Sequence, residues 1–194
     1  MTTAKSSIIV SGWPAVGKTT IASELGKEFG LSHYNGGDIL KMLAAERGYS
    51  TDASKSDWWD TPEAKKFMEE RKRDPTFDKK VDSKLSEILK NENAVITSYT
   101  LPWLVNNERI IKFWLKGSSH NRAKRMANRD KIRIERAEKI VNMRDGENKK
   151  IYYSLYGFVF GEDLSVFDYA LNTDRLSLDA LVEISKLIVR RNAG

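Results

Sequence analysis

A glycine-bounded loop, Gly12-Trp13-Pro14-Ala15-Val16-Gly17-Lys18-Thr19-Thr20, lies between an apolar β-branched run, Ser7 to Ser11, and a segment carrying Ile21, Ala22, Leu25 and Phe29 at helical spacing. Strand, turn and helix in that order leave few folds open. The two glycines let successive backbone N–H groups curl around an anion without Cβ clashes, and the helix N-terminus adds favourable partial charge. Gly12 to Thr20 are therefore expected to cradle the phosphates of a nucleoside triphosphate, with Lys18 on the β- and γ-phosphates and Thr19 on Mg²⁺.

The pattern repeats. Gly30 stops the first helix, Leu31 to Asn35 reads as a second strand, and Gly36-Gly37-Asp38 opens a helix with Ile39, Leu40, Leu43 and Ala44, closed by Gly48. From Thr51 to Asn93 the chain turns polar and helical. Thr61-Pro62-Glu63 and Asp74-Pro75 are helix starts, the second leading to a face of Phe77, Val81, Leu85, Ile88 and Leu89. Strands resume at Ala94 to Ser98 and Ile110 to Leu115, with one or two helical turns between them. A basic helical stretch, Ser118 to Ile151, a strand at Tyr169 to Asn172 and an amphipathic helix, Leu178 to Val189, complete the chain. Five strands alternating with helices predict an α/β fold, a five-stranded parallel sheet flanked by helices, because parallel neighbours need crossover connections. Its ligand site is expected at the carboxyl edge of the strands. One domain is expected over 1–194, with a core of 1–50 and 94–194 and a helical insertion at 51–93.

The absence of cysteine from the 194 residues excludes disulfides, thiolate metal sites and a cysteine nucleophile, and favours a cytoplasmic protein. No apolar run is long enough for a membrane span, so no membrane partner is expected. His33 and His120 stand apart from each other and from carboxylate clusters, which argues against a transition-metal site. The net charge of +6 fits a nucleic-acid binder or a phosphate-handling enzyme. It is concentrated: residues 121–150 hold eleven Lys or Arg and five Asp or Glu. Arg122, Arg125, Arg129, Arg133 and Arg136 recur at steps of three and four, one stripe if a single helix runs through them.

With no room for a motor's extra domains and no Asn-Lys-x-Asp guanine signature, a small-molecule kinase is the natural reading. The order of parts resembles the nucleoside monophosphate kinase family, and most of all its archaeal cytidylate kinases, over essentially the whole chain. The stretches that carry the resemblance are Gly12 to Thr20, Gly36 to Lys41, Asp74-Pro-Thr-Phe-Asp78, Phe113-Trp-Leu-Lys116, Arg122-Ala-Lys-Arg125 with Arg129, and Tyr156-Gly157 leading to Asn172-Thr173. The first is specific to nucleotides; the others are weak singly but keep their order. The resemblance implies ATP as donor with Mg²⁺, residues 51–93 as an acceptor-binding flap, and a lid at about 128–136. It also implies Arg125 and Arg129 beside Lys18 as catalytic cations, and Asp38 near the acceptor, sharing the metal with Thr19. Lys41 replaces an arginine on the acceptor phosphate, keeping the charge and losing the bidentate fork. The plain alternatives are a solvated charge stripe for the arginines and a first-turn acid favoured by the helix dipole for Asp38.

One departure bears on the acceptor. Where archaeal cytidylate kinases have Glu-Gly-Arg after the third strand, this chain has Thr97-Ser98-Tyr99, and Lys150-Ile151-Tyr152 stands where they have Arg-Arg before a tyrosine. Losing a bidentate cation weakens monophosphate binding by about 1.5–3 kcal/mol unless another group replaces it. An aromatic, less cationic pocket suits a small phosphorylated metabolite, and the expected acceptor is the 5-hydroxyl of mevalonate 3-phosphate, as in isoprenoid biosynthesis. Lys41, Trp58, Trp59, Tyr99, Trp103, Arg144 and Lys149 are the candidate acceptor-binding residues. The alternative is a cytidylate kinase acting on CMP. A nucleic-acid binder or an ATP sensor without transferase activity is the alternative of another class. No nucleic-acid partner is expected, because the sheet pattern is no RNA-binding signature.

Overall fold

A computed structural model describes residues 6–51 and 58–192. Residues 52–57 of the expected insertion, and the chain ends at 1–5 and 193–194, lie outside the described residues. The core strands are β1 (Ser7–Gly12), β2 (Ser32–Asn35), β3 (Ala94–Thr97), β4 (Ile110–Lys116) and β5 (Tyr169–Asn172). Among the described residues they form one parallel five-stranded sheet, as the alternating pattern predicted, and its strand order is β2-β3-β1-β4-β5. In the central register Ile9 lies opposite Ile96 on one side and Lys112 on the other.

Strand periodicity puts Ile8 and Val10 on one face of β1 and Ile9 on the opposite face. The first pair meets Ile21, Ala22 and Leu25 of α1 (Lys18–Phe29) and Leu181 and Val189 of α8 (Leu178–Asn192). Ile9 and Ile96 meet Leu85 of α4 (Thr76–Asn91) and Leu101 of α5 (Leu101–Leu104), the short helix between β3 and β4. Helices thus cover both faces, which suits an all-parallel sheet. No described helix is long and apolar enough to cross a membrane.

Two consecutive helices, α3 (Pro62–Arg73) and α4, interrupt the alternation. Thr61 caps α3 by accepting from the Ala64 N–H, with Pro62 in the first turn, and Asp74 accepts from the Thr76 N–H. A separate core of Leu40 and Leu43 from α2 (Gly36–Glu46), with Trp58, Phe67 and Phe77, holds this insertion together.

The basic stretch is two helices. Lys131 takes a left-handed φ of 54° at the end of α6 (Ser119–Asp130), and α7 (Ile134–Tyr156) starts after Arg133. Ala123 and Met126 pack against Ala137 and Val141 as an antiparallel hairpin. The helix is not continuous, so the five arginines do not form one stripe.

Candidate active site

A cleft of about 1310 Å³ runs along the carboxyl edge of the strands. Its floor at one end is the glycine loop. Gly12 has φ of 144°, and a Cβ there would lie 2.2 Å from the carbonyl oxygen of Leu115, so only glycine lets β1 turn this close to β4. Gly17 has φ of 96° and begins α1 without a side-chain cap or an acid in the first turn. The first N–H groups of α1 therefore face the cleft uncovered by any carboxylate, an arrangement that suits an anion. Thr19 and Thr20 lie exposed on the cleft wall.

Lys18 is buried, its ammonium donating to the carbonyls of Gly12 (2.8 Å) and Trp13 (2.9 Å). Burial first, and then the Arg122 charge, pull its pKa down to about 7 against the opposing pull of Asp145. The Trp13 ring turns away from the cleft, meeting Phe160 edge-on at 4.8 Å.

The hairpin borders the glycine-loop end of the cleft. Arg125 donates to the Thr173 carbonyl (2.5 Å) and hydroxyl (3.0 Å), Arg129 donates to Asp130, and both line the cleft with Arg136 and Lys139. Arg133 is not among the lining residues.

The other end lies between α2, α3, α4 and α7. Of the residues singled out in the sequence, Asp38, Lys41, Trp59, Tyr99 and Arg144 line it. Three expected residues do not. Trp58 is buried in the insertion core and donates to the Ser50 carbonyl. Trp103 stacks on Phe158 at 4.5 Å and donates to the Asp163 carbonyl. Lys149 pairs with Glu162 over the Trp13 ring. In each case a tertiary partner outside the cleft takes the side chain.

Residues outside the sequence-derived set complete this end. Arg71 binds Asp78 through two hydrogen bonds (2.8 and 2.6 Å) and donates to the Tyr152 hydroxyl (3.3 Å). Although burial opposes its charge, Asp78 and Tyr152 hold it firmly protonated. Asp82 accepts from the hydroxyls of Thr100 (2.5 Å) and Tyr156 (2.5 Å). Burial raises its pKa to about 6 despite those two bonds. The cues to this network were Asp78 and Asp82 one turn apart beside the Phe77 stripe, with Asp78 and Tyr156 in stretches that carry the resemblance; Thr100, Tyr152 and Tyr156 come from distant segments.

Among the described residues, eleven Lys or Arg and five Asp or Glu line the cleft, an excess equal to the net charge of the whole chain. The α6–α7 hairpin supplies most of it, because Lys65, Lys66, Arg71 and Lys72 of the insertion are offset by Glu69, Asp78 and Asp82. No group of three or more metal-ligating side chains occurs among the described residues. An exposed Thr19 and Asp38 on the same cleft fit Mg²⁺, which keeps waters and needs one or two protein oxygens when phosphates supply the rest.

The family model of the cytidylate kinase-like family matches residues 7–175. A cytidylate kinase of Pyrobaculum islandicum is 36% identical over 178 residues, covering 92% of this chain and 89% of the relative. That of Halorubrum lacusprofundi is 34% identical over 179 residues, covering 91% and 85%. A crystal structure of an uncharacterized protein from Eubacterium ventriosum superposes with TM-score 0.67 at 15% identity, over 95% of this chain and 98% of that one. Shikimate kinase from Bacteroides thetaiotaomicron superposes with TM-score 0.55, also at 15% identity, over 96% of each chain. These structural likenesses establish the fold alone.

Proposed function

The chain belongs to the cytidylate kinase-like family, and on that footing we propose that it moves the γ-phosphoryl group of ATP onto the phosphate of CMP, giving ADP and CDP. It is a small-molecule phosphotransferase with ATP as donor and Mg²⁺ as cofactor. The observation that carries the acceptor half is continuity: one cleft runs from Thr19 and Lys18 to a second cationic group of Lys41, Arg71 and Arg144. Two phosphate-bearing molecules can therefore meet end to end.

In this reading an acceptor phosphate oxygen attacks the γ-phosphorus, its bond to the β-bridging oxygen breaks, and ADP leaves. That oxygen is already anionic, so the protein positions and neutralises and need not remove a proton. Lys18, Arg125 and Arg129 stabilise the charge on the moving group. Thr19 and Asp38 would hold Mg²⁺, which would supply Lewis-acid stabilisation of the phosphate charge. Residues 51–93 act as the acceptor flap, and the turn at about 128–136 as a lid excluding water.

A second reading, a phosphorylated metabolite such as mevalonate 3-phosphate, has one observation in its favour. A neutral, half-buried phenol stands at position 99, where the resemblance to archaeal cytidylate kinases would put an arginine. The sequence relatives favour CMP over it. A coupled ADP-release assay with CMP, UMP, dCMP, AMP, mevalonate, mevalonate 3-phosphate and mevalonate 5-phosphate tests both. CMP is expected to turn over fastest; turnover confined to mevalonate 3-phosphate would replace the CMP reading. Lys18→Ala is expected to lower turnover at least about a hundredfold with any acceptor.

A further inference from the structure

The Lys18 ammonium has a third neighbour besides its two carbonyls. It sits 4.5 Å from the centroid of the Tyr99 ring, over the face. An ammonium has three protons. Two go to Gly12 and Trp13, and the remaining side meets the negative face of an aromatic ring.

That ring is not free to leave. Tyr99 lies two residues past the end of β3; its backbone carbonyl accepts from the Ser11 hydroxyl of β1 (3.4 Å), and its ring packs on Phe160 (5.6 Å, edge-on) and Tyr152 (6.1 Å). Strand, loop residue and two aromatic neighbours fix the ring plane.

Resting on the phosphate-loop reading of the donor site, we propose that Tyr99 is a positioning residue for Lys18. Its ring face holds the Lys18 Nζ in place at the root of the loop before ATP arrives. The surroundings make the support consequential. Lys18 is taken out of water and feels Arg122 of α6 as a repulsive charge and Asp145 of α7 as an attractive one. Arg144 and Arg71 also face the phenol from α7 and α3. A cation at position 99 would add repulsion at the point where the ring now attracts. The absence of an arginine there thus has a cause on the donor side, and the acceptor phosphate falls to Lys41, Arg71 and Arg144.

Calorimetry of Mg²⁺-ATP binding to the full chain tests this. Tyr99→Phe is expected to keep wild-type affinity within about twofold. Tyr99→Leu is expected to lose affinity about two- to thirtyfold, the span of a cation–π contact. In a Lys18→Ala background the same Tyr99→Leu change is expected to cost nothing further. Fluorinated phenylalanines at position 99 keep the shape while draining the ring face, so affinity is expected to fall stepwise with fluorine count even if the leucine variant does not fold.

Wild-type affinity in Tyr99→Leu, an equal loss in Tyr99→Phe, an undiminished loss in the Lys18→Ala background, or no response to fluorination would each overturn the proposal. Normal ATP binding by Lys18→Ala alone would instead overturn the phosphate-loop reading, and the positioning role with it.

Discussion

Arg122 grips Asp145 through two parallel hydrogen bonds, 2.9 and 2.5 Å, while Nη1, one of the two donors, also donates to the Pro14 carbonyl at 3.2 Å. Its third nitrogen donates to the Gly117 carbonyl (3.1 Å). One guanidinium therefore ties the phosphate loop, the end of β4 and the middle of α7 together. Arg122→Lys keeps the charge but cannot span these acceptors. The expected result is about a tenfold rise in KM for ATP with a smaller change in kcat, read by steady-state kinetics.

Lys18 gives a proton count. Its pKa is about 7 in the empty loop against an ordinary value of about 10.4, so above pH 7 the folded protein holds a neutral amine there. Phosphate binding restores the charge. Calorimetry at about pH 8 in buffers of different ionisation enthalpy is expected to record uptake approaching one proton per ATP. Lys18→Met is expected to record none. The sign for stability is the reverse of a salt bridge: from about pH 7 to about 10.4 the unfolded chain binds the extra proton, so this group favours the folded state increasingly as pH rises and loses that contribution as pH falls through 7.

The Arg71–Asp78 pair is buried, with side chains 5% and 8% exposed. Arg71→Ala strands a carboxylate without its partner, and thermal unfolding is expected to report a loss of about 3–5 kcal/mol. Replacing both residues by apolar ones of similar size is expected to recover most of that stability. Acceptor binding is expected to stay impaired in the double variant, because the cleft has lost a cation.

Asp82 has a raised pKa of about 6, against an ordinary carboxylate near 4, chiefly because it is buried. Its stabilising contribution is full below about pH 4 and is lost as pH rises through 6, because the folded state then surrenders a proton the unfolded chain has already released. Asp82→Asn removes this slope. Relative to wild type, the variant is expected to gain about 2–3 kcal/mol of stability between about pH 4 and pH 7, measured by denaturant unfolding at each pH.

The parts of the site legible in the sequence are those whose chemistry is local. The strand run at Ser7, the glycines and Lys18 define the phosphate loop within nine residues, and the same periodicity located the other four strands to within a residue or two. The far end of the cleft was legible only in part. Trp58 and Trp59 are neighbours of one residue type in a single 3₁₀ turn; one is buried against Phe67 and the other lines the cleft, and no local rule separates them.

The break in the basic stretch carried no mark either. No glycine or proline lies between Gly117 and Gly146, and Lys131 turns left-handed where Ala123 and Met126 meet Ala137 and Val141. That packing separated Arg133 from the cleft and kept Arg125, Arg129 and Arg136 on it.

By itself the sequence determined a parallel sheet edged by an anion-holding loop, because glycine conformation, helix dipole and hydrophobic period act over a few residues. Tertiary structure alone decided which cations and aromatics line the far end of the cleft. Arg71 meets Tyr152 across 81 positions, Asp82 meets Tyr156 across 74, and Tyr99 meets Lys18 only because β3 and β1 are paired side by side. Contacts of that separation depend on how the helices pack, not on the order of the residues within any one of them.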